Sequence, residues 1–244
     1  VEKTRRVPHV ELAPAKLTLS LRVVGMRDDG YHLLDAEMVS VGLCDTLTFD
    51  DGDGLALTGV PIPEGPSYDN LVVRALRATN RVAYVRLDKH IPAGAGLGGG
   101  SSDAAAVLRW AGVHDLAIAT RLGGDVPFCV VGGRAHVTGI GNRVEPLAFV
   151  AATYTLLTPP LHVSTPAVYA AWDELGGPTA DGVNDLEPAA LAVTPELAQW
   201  RDRLGDATGV TPVLAGSGST WFVEGAFPEA GHVVQTVPAG YALE

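Results

Sequence analysis

The run Pro92-Ala93-Gly94-Ala95-Gly96-Leu97-Gly98-Gly99-Gly100-Ser101-Ser102 holds five glycines in eleven residues. Without a Cβ, glycine lets backbone N–H groups close on a ligand. Ser101, Ser102 and the following Asp103 are good N-cap residues, and Ala104-Ala105-Ala106-Val107-Leu108 behind them favours helix. The chemistry to expect is anion binding, because a helix N-terminus carries about half a positive charge and presents unpaired N–H donors. The run contains no Lys or Arg. A phosphate held there needs a cation from elsewhere, and Lys16, on the polar side of an upstream strand, is the candidate.

Competing readings differ in what they demand. A Walker A loop requires G-x-x-x-x-G-K-[ST], and its lysine is missing. Gly94 to Gly99 does match G-x-G-x-x-G, with Asp115 near the acidic position of a dinucleotide site. The preceding strand, however, ends in Asp88-Lys89-His90-Ile91-Pro92 rather than in a buried apolar run, and it lies mid-chain after several strands. A plain glycine turn is the bland alternative, disfavoured by the two hydroxyls and the strong helix start. A phosphate loop that borrows its cation is the preferred reading.

The elements that must position these groups follow from periodicity. Leu17, Leu19, Leu21 and Val23 alternate with Lys16, Thr18, Ser20 and Arg22, which predicts a half-buried strand with Lys16 and Thr18 on one side. Pro14 predicts an edge position or a bulge. Arg27-Asp28-Asp29-Gly30 is a turn, followed by Tyr31 and His32. Residues 38–43 and 47–49 read as two further strands. Asp50-Asp51-Gly52-Asp53-Gly54 resembles a calcium loop, but counting from Asp51 the twelfth position is Ile62, so it reads as a hairpin turn. A loop is expected over 61–66. Asp69-Asn70 caps a short helix, and Val82, Tyr84, Val85 and Leu87 form the strand that delivers the glycine run. Gly123-Gly124-Asp125-Val126-Pro127-Phe128 reads as a loop with one acid in its middle, and 130–144 as a hairpin.

The texture changes near residue 150. A strand over 154–157 precedes a helix that opens at Ser164-Thr165-Pro166, then a polar stretch Asn184-Asp185-Leu186-Glu187-Pro188 and a helix from Thr194-Pro195-Glu196. Two short strands flank Gly216-Ser217-Gly218-Ser219-Thr220. Strands first, helices at intervals and hairpin-like connections imply an α+β fold.

At 244 residues the chain can bury one large core or two modest ones. A net charge of −11 argues against sequence-independent nucleic-acid binding. No apolar run reaches membrane-span length, and residues 1–6 lack the apolar segment of a signal peptide. Cys44 and Cys129 are too few for a disulfide framework or a zinc ribbon. The expectation is a cytoplasmic enzyme with neither nucleic acid nor membrane as partner, a monomer or weak homodimer.

Three segments together resemble the GHMP kinases (galactokinase, homoserine kinase, mevalonate and phosphomevalonate kinases). They are Ala13-Pro14-Ala15-Lys16-Leu17, the run over 92–106, and Gly216-Ser217-Gly218-Ser219-Thr220, in the family's order. Asp29-Gly30-Tyr31-His32, the stretch around Asp125 and Asn184-Asp185-Leu186-Glu187-Pro188 resemble the branch that serves non-mevalonate isoprenoid synthesis. The resemblance implies two lobes, an N-terminal mixed β/α nucleotide-binding and catalytic lobe over 1–150 and a smaller ferredoxin-like substrate-side lobe over 151–244. It also implies transfer of the ATP γ-phosphoryl, with Mg²⁺ arriving on ATP, to the 2-hydroxyl of a cytidine-diphosphate methylerythritol. Other branches (homoserine or mevalonate type) and a nucleotide binder that has lost catalysis are the alternatives.

The resemblance assigns roles that the residues alone do not. Asp125 becomes the base for the attacking hydroxyl, and Lys16 holds it ionised and opposes charge on the transferring group. Residues 92–102 become the ATP loop, in which Ser101 or Ser102 caps the helix or touches Mg²⁺ and phosphate. Tyr31 and His32 contact the cytosine, and Tyr169 stacks on its other side. Thr18, Asn70 and Asp185 are further polar contacts to nucleotide or substrate. Thr18 stands where the family has asparagine, and the segments before Asp125 and after Gly225 are short for the family.

Overall fold

The computed structural model describes residues 8–60 and 70–242. The expected loop over 61–66, Asp69 and the reading of residues 1–6 lie outside them.

Two long antiparallel strands, β1 (His9–Met26) and β2 (His32–Asp50), form the backbone of a six-stranded sheet. Residues 38–43 and 47–49, read as separate strands, are parts of β2. The register shifts between Pro14 and Ala15 and again between Thr18 and Ser20. Each shift resets which face a side chain takes. Ala15 and Leu17 therefore face one core and Leu21 another, while Lys16 and Thr18 stay together.

β3 (Gly54–Gly59), α1 (Leu71–Ala78) and β4 (Tyr84–Lys89) follow. The path through the sheet is β3-β4-β2-β5-β6, with β1 paired to β2. β3 lies parallel to β4, so α1 lies on their crossover connection. The turn over 51–53 is thus not the expected hairpin, because β4 inserts between β2 and β3.

α2 (Gly99–Trp110), α3 (Leu116–Leu122) and α4 (Val126–Val131) come next, then the hairpin β5 (Arg134–Gly139) and β6 (Arg143–Pro146). The stretch expected to be a loop around Asp125 is instead the junction of α3 and α4. The expected hairpin begins only at Arg134.

A second, antiparallel sheet has the order β10-β7-β9-β8. It comprises β7 (Thr153–Leu157), β8 (Val213–Leu214), β9 (Trp221–Glu224) and β10 (His232–Gln235). α5 (Thr165–Glu174), α6 (Glu187–Val193) and α7 (Leu197–Thr208) connect β7 to β8. This is a ferredoxin-like order in which residues 225–231 replace the second helix.

Ala15, Leu17, Val39 and Val41 from the first sheet meet Tyr154, Leu156, Phe222 and Val234 from the second in one core. Ile91, Ala95 and Leu97 of the glycine region are embedded in it. Burying Ile91 and Leu97 stabilises by about 1.5–3 kcal/mol each, which anchors the run while its glycines stay free to face a ligand.

Candidate functional site

β1 carries Lys16 into the interior, where it is 5% exposed. Its Nζ donates to Thr18 Oγ1 at 3.1 Å and lies 3.5 Å from Asp125 Oδ2. Two glycines make room for it. A Cβ at Gly98 would stand 2.7 Å from Lys16 Cγ, and one at Gly216 would stand 3.3 Å from Nζ. Both have positive φ, +67° and +60°, a region closed to most side chains. The cation missing from the glycine run is thus threaded between that run and the 216–220 segment.

The run lies against β1 through the Lys16 N–H, which donates to Leu97 O at 3.0 Å. It lies against the later segment through Thr220 N–H to Ala95 O at 3.1 Å. A Cβ at Gly96 would overlap Ala215 O and come within 2.8 Å of Gly218 O. Asn184, fully buried, fastens that segment by donating to Leu214 O at 2.9 Å and Gly216 O at 2.7 Å.

α2 begins at Gly99, earlier than the serines suggest. Its N-cap is Gly98, and no side chain bonds to the first turn. A helix start without a side-chain acceptor leaves its first N–H groups available to an anion. Ser101, Ser102 and Asp103 are therefore not caps. Ser102 instead donates to Pro14 O at 2.7 Å and tethers α2 to β1. Ser101 faces the open site.

Asp125 is the N-cap of α4, yet its side chain makes no capping bond, so the carboxylate is free to face Lys16. It is 35% exposed. Two cavities flank it. One, of about 440 Å³, is lined by Lys16, Thr18, Asn70, the glycine run and Ser217. The other, of about 620 Å³, is lined by Tyr31, His32, Gly141 and Asp173. Ser101, Asp125, Thr165 and Tyr169 line both. An anion-binding helix start, a buried ammonium and a carboxylate thus converge where two binding spaces meet. That geometry suits transfer of a phosphoryl group from one space to the other.

Tyr169 is half-buried, and burial, followed by the Asp125 charge, pushes its hydroxyl well above the ordinary tyrosine value. The phenol therefore stays neutral and can donate. The His32 ring stacks on Tyr169 at 4.7 Å and 27°, while Tyr31 is 61% exposed at the rim.

The segment over 70–133 matches the model of the GHMP kinases N terminal domain. A 4-diphosphocytidyl-2-C-methyl-D-erythritol kinase of Nitrosomonas eutropha is 39% identical in an alignment that covers 87% of this chain and 86% of that protein. This chain belongs to the GHMP kinase family. Its likeness to the kinase of the same name from Ruegeria pomeroyi, also 39% identical, spans 92% of this chain and 91% of that one. A crystal structure of 4-(cytidine 5'-diphospho)-2C-methyl-D-erythritol kinase superposes with a TM-score of 0.74 at 34% identity, over 95% of this chain and all of that one. A homoserine kinase from Cytophaga hutchinsonii shares the fold, with a TM-score of 0.59 at 19% identity over 94% of this chain and 89% of its own.

Several expected contacts in this GHMP kinase sit elsewhere. Asp185 lines neither cavity. Its Oδ1 accepts from Arg22 at 2.7 Å and Ala180 N–H at 3.0 Å, and its Oδ2 accepts from Val23 N–H at 3.0 Å. It ties the entry of α6 to β1 and is buried away from both cavities. Leu97 points into the core, not the cavity. Asn70 caps α1, accepting from Val72 N–H at 2.9 Å, and still lines the 440 Å³ cavity.

The sequence reading missed a buried charge cluster behind the phosphate run. Lys89 Nζ donates to Asp45 Oδ2 and, at 2.7 Å, to Asp103 Oδ2. Asp45 Oδ1 accepts from the backbone of His90 at 2.6 Å and Ile91 at 2.8 Å. Burial works against the Lys89 charge, but Asp103 and Asp45 hold its pKa above the ordinary lysine value. Burial pushes the Asp103 carboxyl up to about 7, with Lys89 pulling it down and Asp45 pushing it up. Nothing in the local sequence links positions 45, 89 and 103, and only the pairing of β2 with β4 and the packing of α2 bring them together.

Proposed function

We propose that the chain transfers the γ-phosphoryl of ATP to the 2-hydroxyl of 4-diphosphocytidyl-2-C-methyl-D-erythritol. The observation that carries this reading is the Lys16–Asp125 pair, 3.5 Å apart at the mouth shared by the two cavities. The names of the relatives support the choice of acceptor.

The triphosphate lies on the uncapped start of α2, with its γ-phosphoryl toward Lys16. The acceptor hydroxyl oxygen forms a bond to the γ-phosphorus while the bond to the β-phosphate oxygen breaks. Asp125 takes the hydroxyl proton, and ADP leaves with the bonding pair. General-base help of this kind is worth about 10²–10⁴ in rate. Lys16 faces Asp125 and offsets charge on the equatorial oxygens, an electrostatic service that needs no reorganisation inside a buried site. The Ser101 hydroxyl, which lines both cavities, would help hold a Mg²⁺ arriving with ATP. When bound, that ion neutralises β/γ charge.

Tyr31, His32 and Tyr169 surround the second cavity and receive the cytosine, and Thr18 steadies the Lys16 ammonium. In this reading residues 1–150 form the nucleotide-binding and catalytic lobe, and 151–244 the lobe that brings Tyr169 and the 216–220 segment. The enzyme works in the cytoplasm as a monomer or weak homodimer.

A coupled ADP-release assay across alcohol acceptors tests the assignment. Turnover is expected with the cytidine-diphosphate methylerythritol. Equal turnover with homoserine or mevalonate would move the chain to another branch. Asp125→Asn should lower kcat by about 10²–10⁴ while leaving ATP affinity within a few-fold. An unchanged rate would remove Asp125 as the base.

A further inference from the structure

His32 is gripped by one face of α5. Tyr169 stacks on its ring, Trp172 meets it edge-on at 5.5 Å, and Asp173 Oδ1 lies 2.8 Å from its Nε2. These three residues stand at i, i+3 and i+4 of the helix, so they share a face. Trp172 is itself held, donating from Nε1 to Pro178 O at 3.0 Å and packing over Gly177. The His32 side chain is only 11% exposed, and the stacked and edge-on rings leave it no room to turn over.

We propose that Asp173 is a positioning residue that fixes the tautomer of His32 and so selects a pyrimidine with an amino group at the 4-position. An ionised carboxylate can only accept, so the 2.8 Å contact places the proton on Nε2. In the neutral ring Nδ1 is then an acceptor, and among the described residues it has no protein partner. His32 and Asp173 both line the 620 Å³ cavity. The proposal rests on reading that cavity as the cytidine-diphosphate site. The pairing edge of cytosine has one donor, its 4-amino group, and that is what an acceptor nitrogen can engage. Uracil presents a carbonyl there, which sets lone pair against lone pair. Sites built to bond a particular polar group reject the analogue that lacks it, because the protein's own group is left unpaired.

The test compares binding of cytidine 5′-diphosphate and uridine 5′-diphosphate by calorimetry, for the natural chain and for Asp173→Ala. The natural chain should prefer the cytidine nucleotide by about tenfold or more. Asp173→Ala should bring that ratio below about threefold with ATP affinity unchanged, because Asp173 is half-exposed and does not line the cavity that holds Lys16 and the glycine run. In the acceptor assay the variant should raise KM more than it lowers kcat. Nitrogen-15 spectra of the histidine rings should show His32 protonated on Nε2 in the natural chain and a tautomer mixture in the variant. A variant that keeps the ratio, or that weakens both nucleotides equally, would overturn the positioning role. So would an Nδ1-protonated His32 in the natural chain, whatever the variant does. A natural chain indifferent to the base would overturn the cytidine reading along with it.

Discussion

Lys16 shows how much one side chain is asked to do and why its surroundings are so constrained. A buried ammonium needs compensation, and here it has Thr18 Oγ1 at 3.1 Å and Asp125 at 3.5 Å, with two glycines leaving space for its stem. Lys16→Met keeps the length of the stem and removes the charge. We expect kcat to fall by about 10²–10³, the usual effect of removing one preorganised stabilising donor, with the fold retained by circular dichroism. A loss smaller than about fivefold, read by steady-state ADP release, would mean that the helix start alone carries the transition-state charge. The need for Lys16 was legible in the sequence as a phosphate-type loop with no cation. Its distance to Asp125 was not, because 109 positions of chain separate them and only the docking of the α3–α4 junction against β1 closes the gap.

At the scale of elements, α2 departs most instructively from expectation. Two serines and an aspartate look like caps, yet each has a tertiary partner or a cavity to face, and glycine takes the cap position. With glycine at the cap position the helix gives up only about a few tenths of a kcal/mol relative to a good cap. The burial of Ala104, Ala105, Ala106, Val107 and Leu108 offsets that cost. Ser102→Ala separates the two roles that sequence allows. If Ser102 is a tether, the variant loses about 1 kcal/mol in urea unfolding, from the lost bond to Pro14 O, and keeps kcat within about twofold. A tenfold loss of kcat, on the order of what a ligand-facing hydroxyl contributes, would return Ser102 to the phosphate or metal. Helices α1, α2 and α5 and strands β1 and β4 were readable, since each has a period or a cap of its own. The merging of two apolar stretches into β2, and the insertion of β4 between β2 and β3, were not. Pairing partners along a 19-residue strand are chosen by tertiary packing rather than by local propensity.

For the molecule as a whole, the Lys89–Asp45–Asp103 cluster joins β4, β2 and α2 immediately behind the phosphate run. It makes stability depend on pH in a direction that can be worked out. The Asp103 carboxyl, ordinarily at 3.8, is raised to about 7 in the fold. Over that interval the folded chain holds a proton that the unfolded chain has released. The stability contributed by that proton is complete below about pH 4 and lost as pH rises through about 7. Asp103→Asn cannot lose it. Relative to the natural chain, the variant should therefore gain stability as pH rises from about 4 to about 7 and hold that gain above it, measured as the shift in urea midpoint at each pH. A difference between the two proteins that does not change with pH would show that Asp103 is ionised throughout.

What the sequence determined by itself was chemistry of type. Glycines, hydroxyls and a helix-forming run specify a backbone anion site, the missing cation specifies a need for Lys16, and three ordered segments specify a GHMP kinase. What only the tertiary structure decided was assignment. It turned Ser102, Leu97 and Asp185 inward to structural partners. It placed Asp125 beside Lys16. It buried three charges together that lie far apart in the chain, and it set Asp173 on His32. The physical reason is that local composition fixes which conformations and bonds a residue can offer. Which of those offers is accepted depends on neighbours supplied by strand pairing and packing, and a buried polar group takes whichever partner the fold brings within about 3 Å.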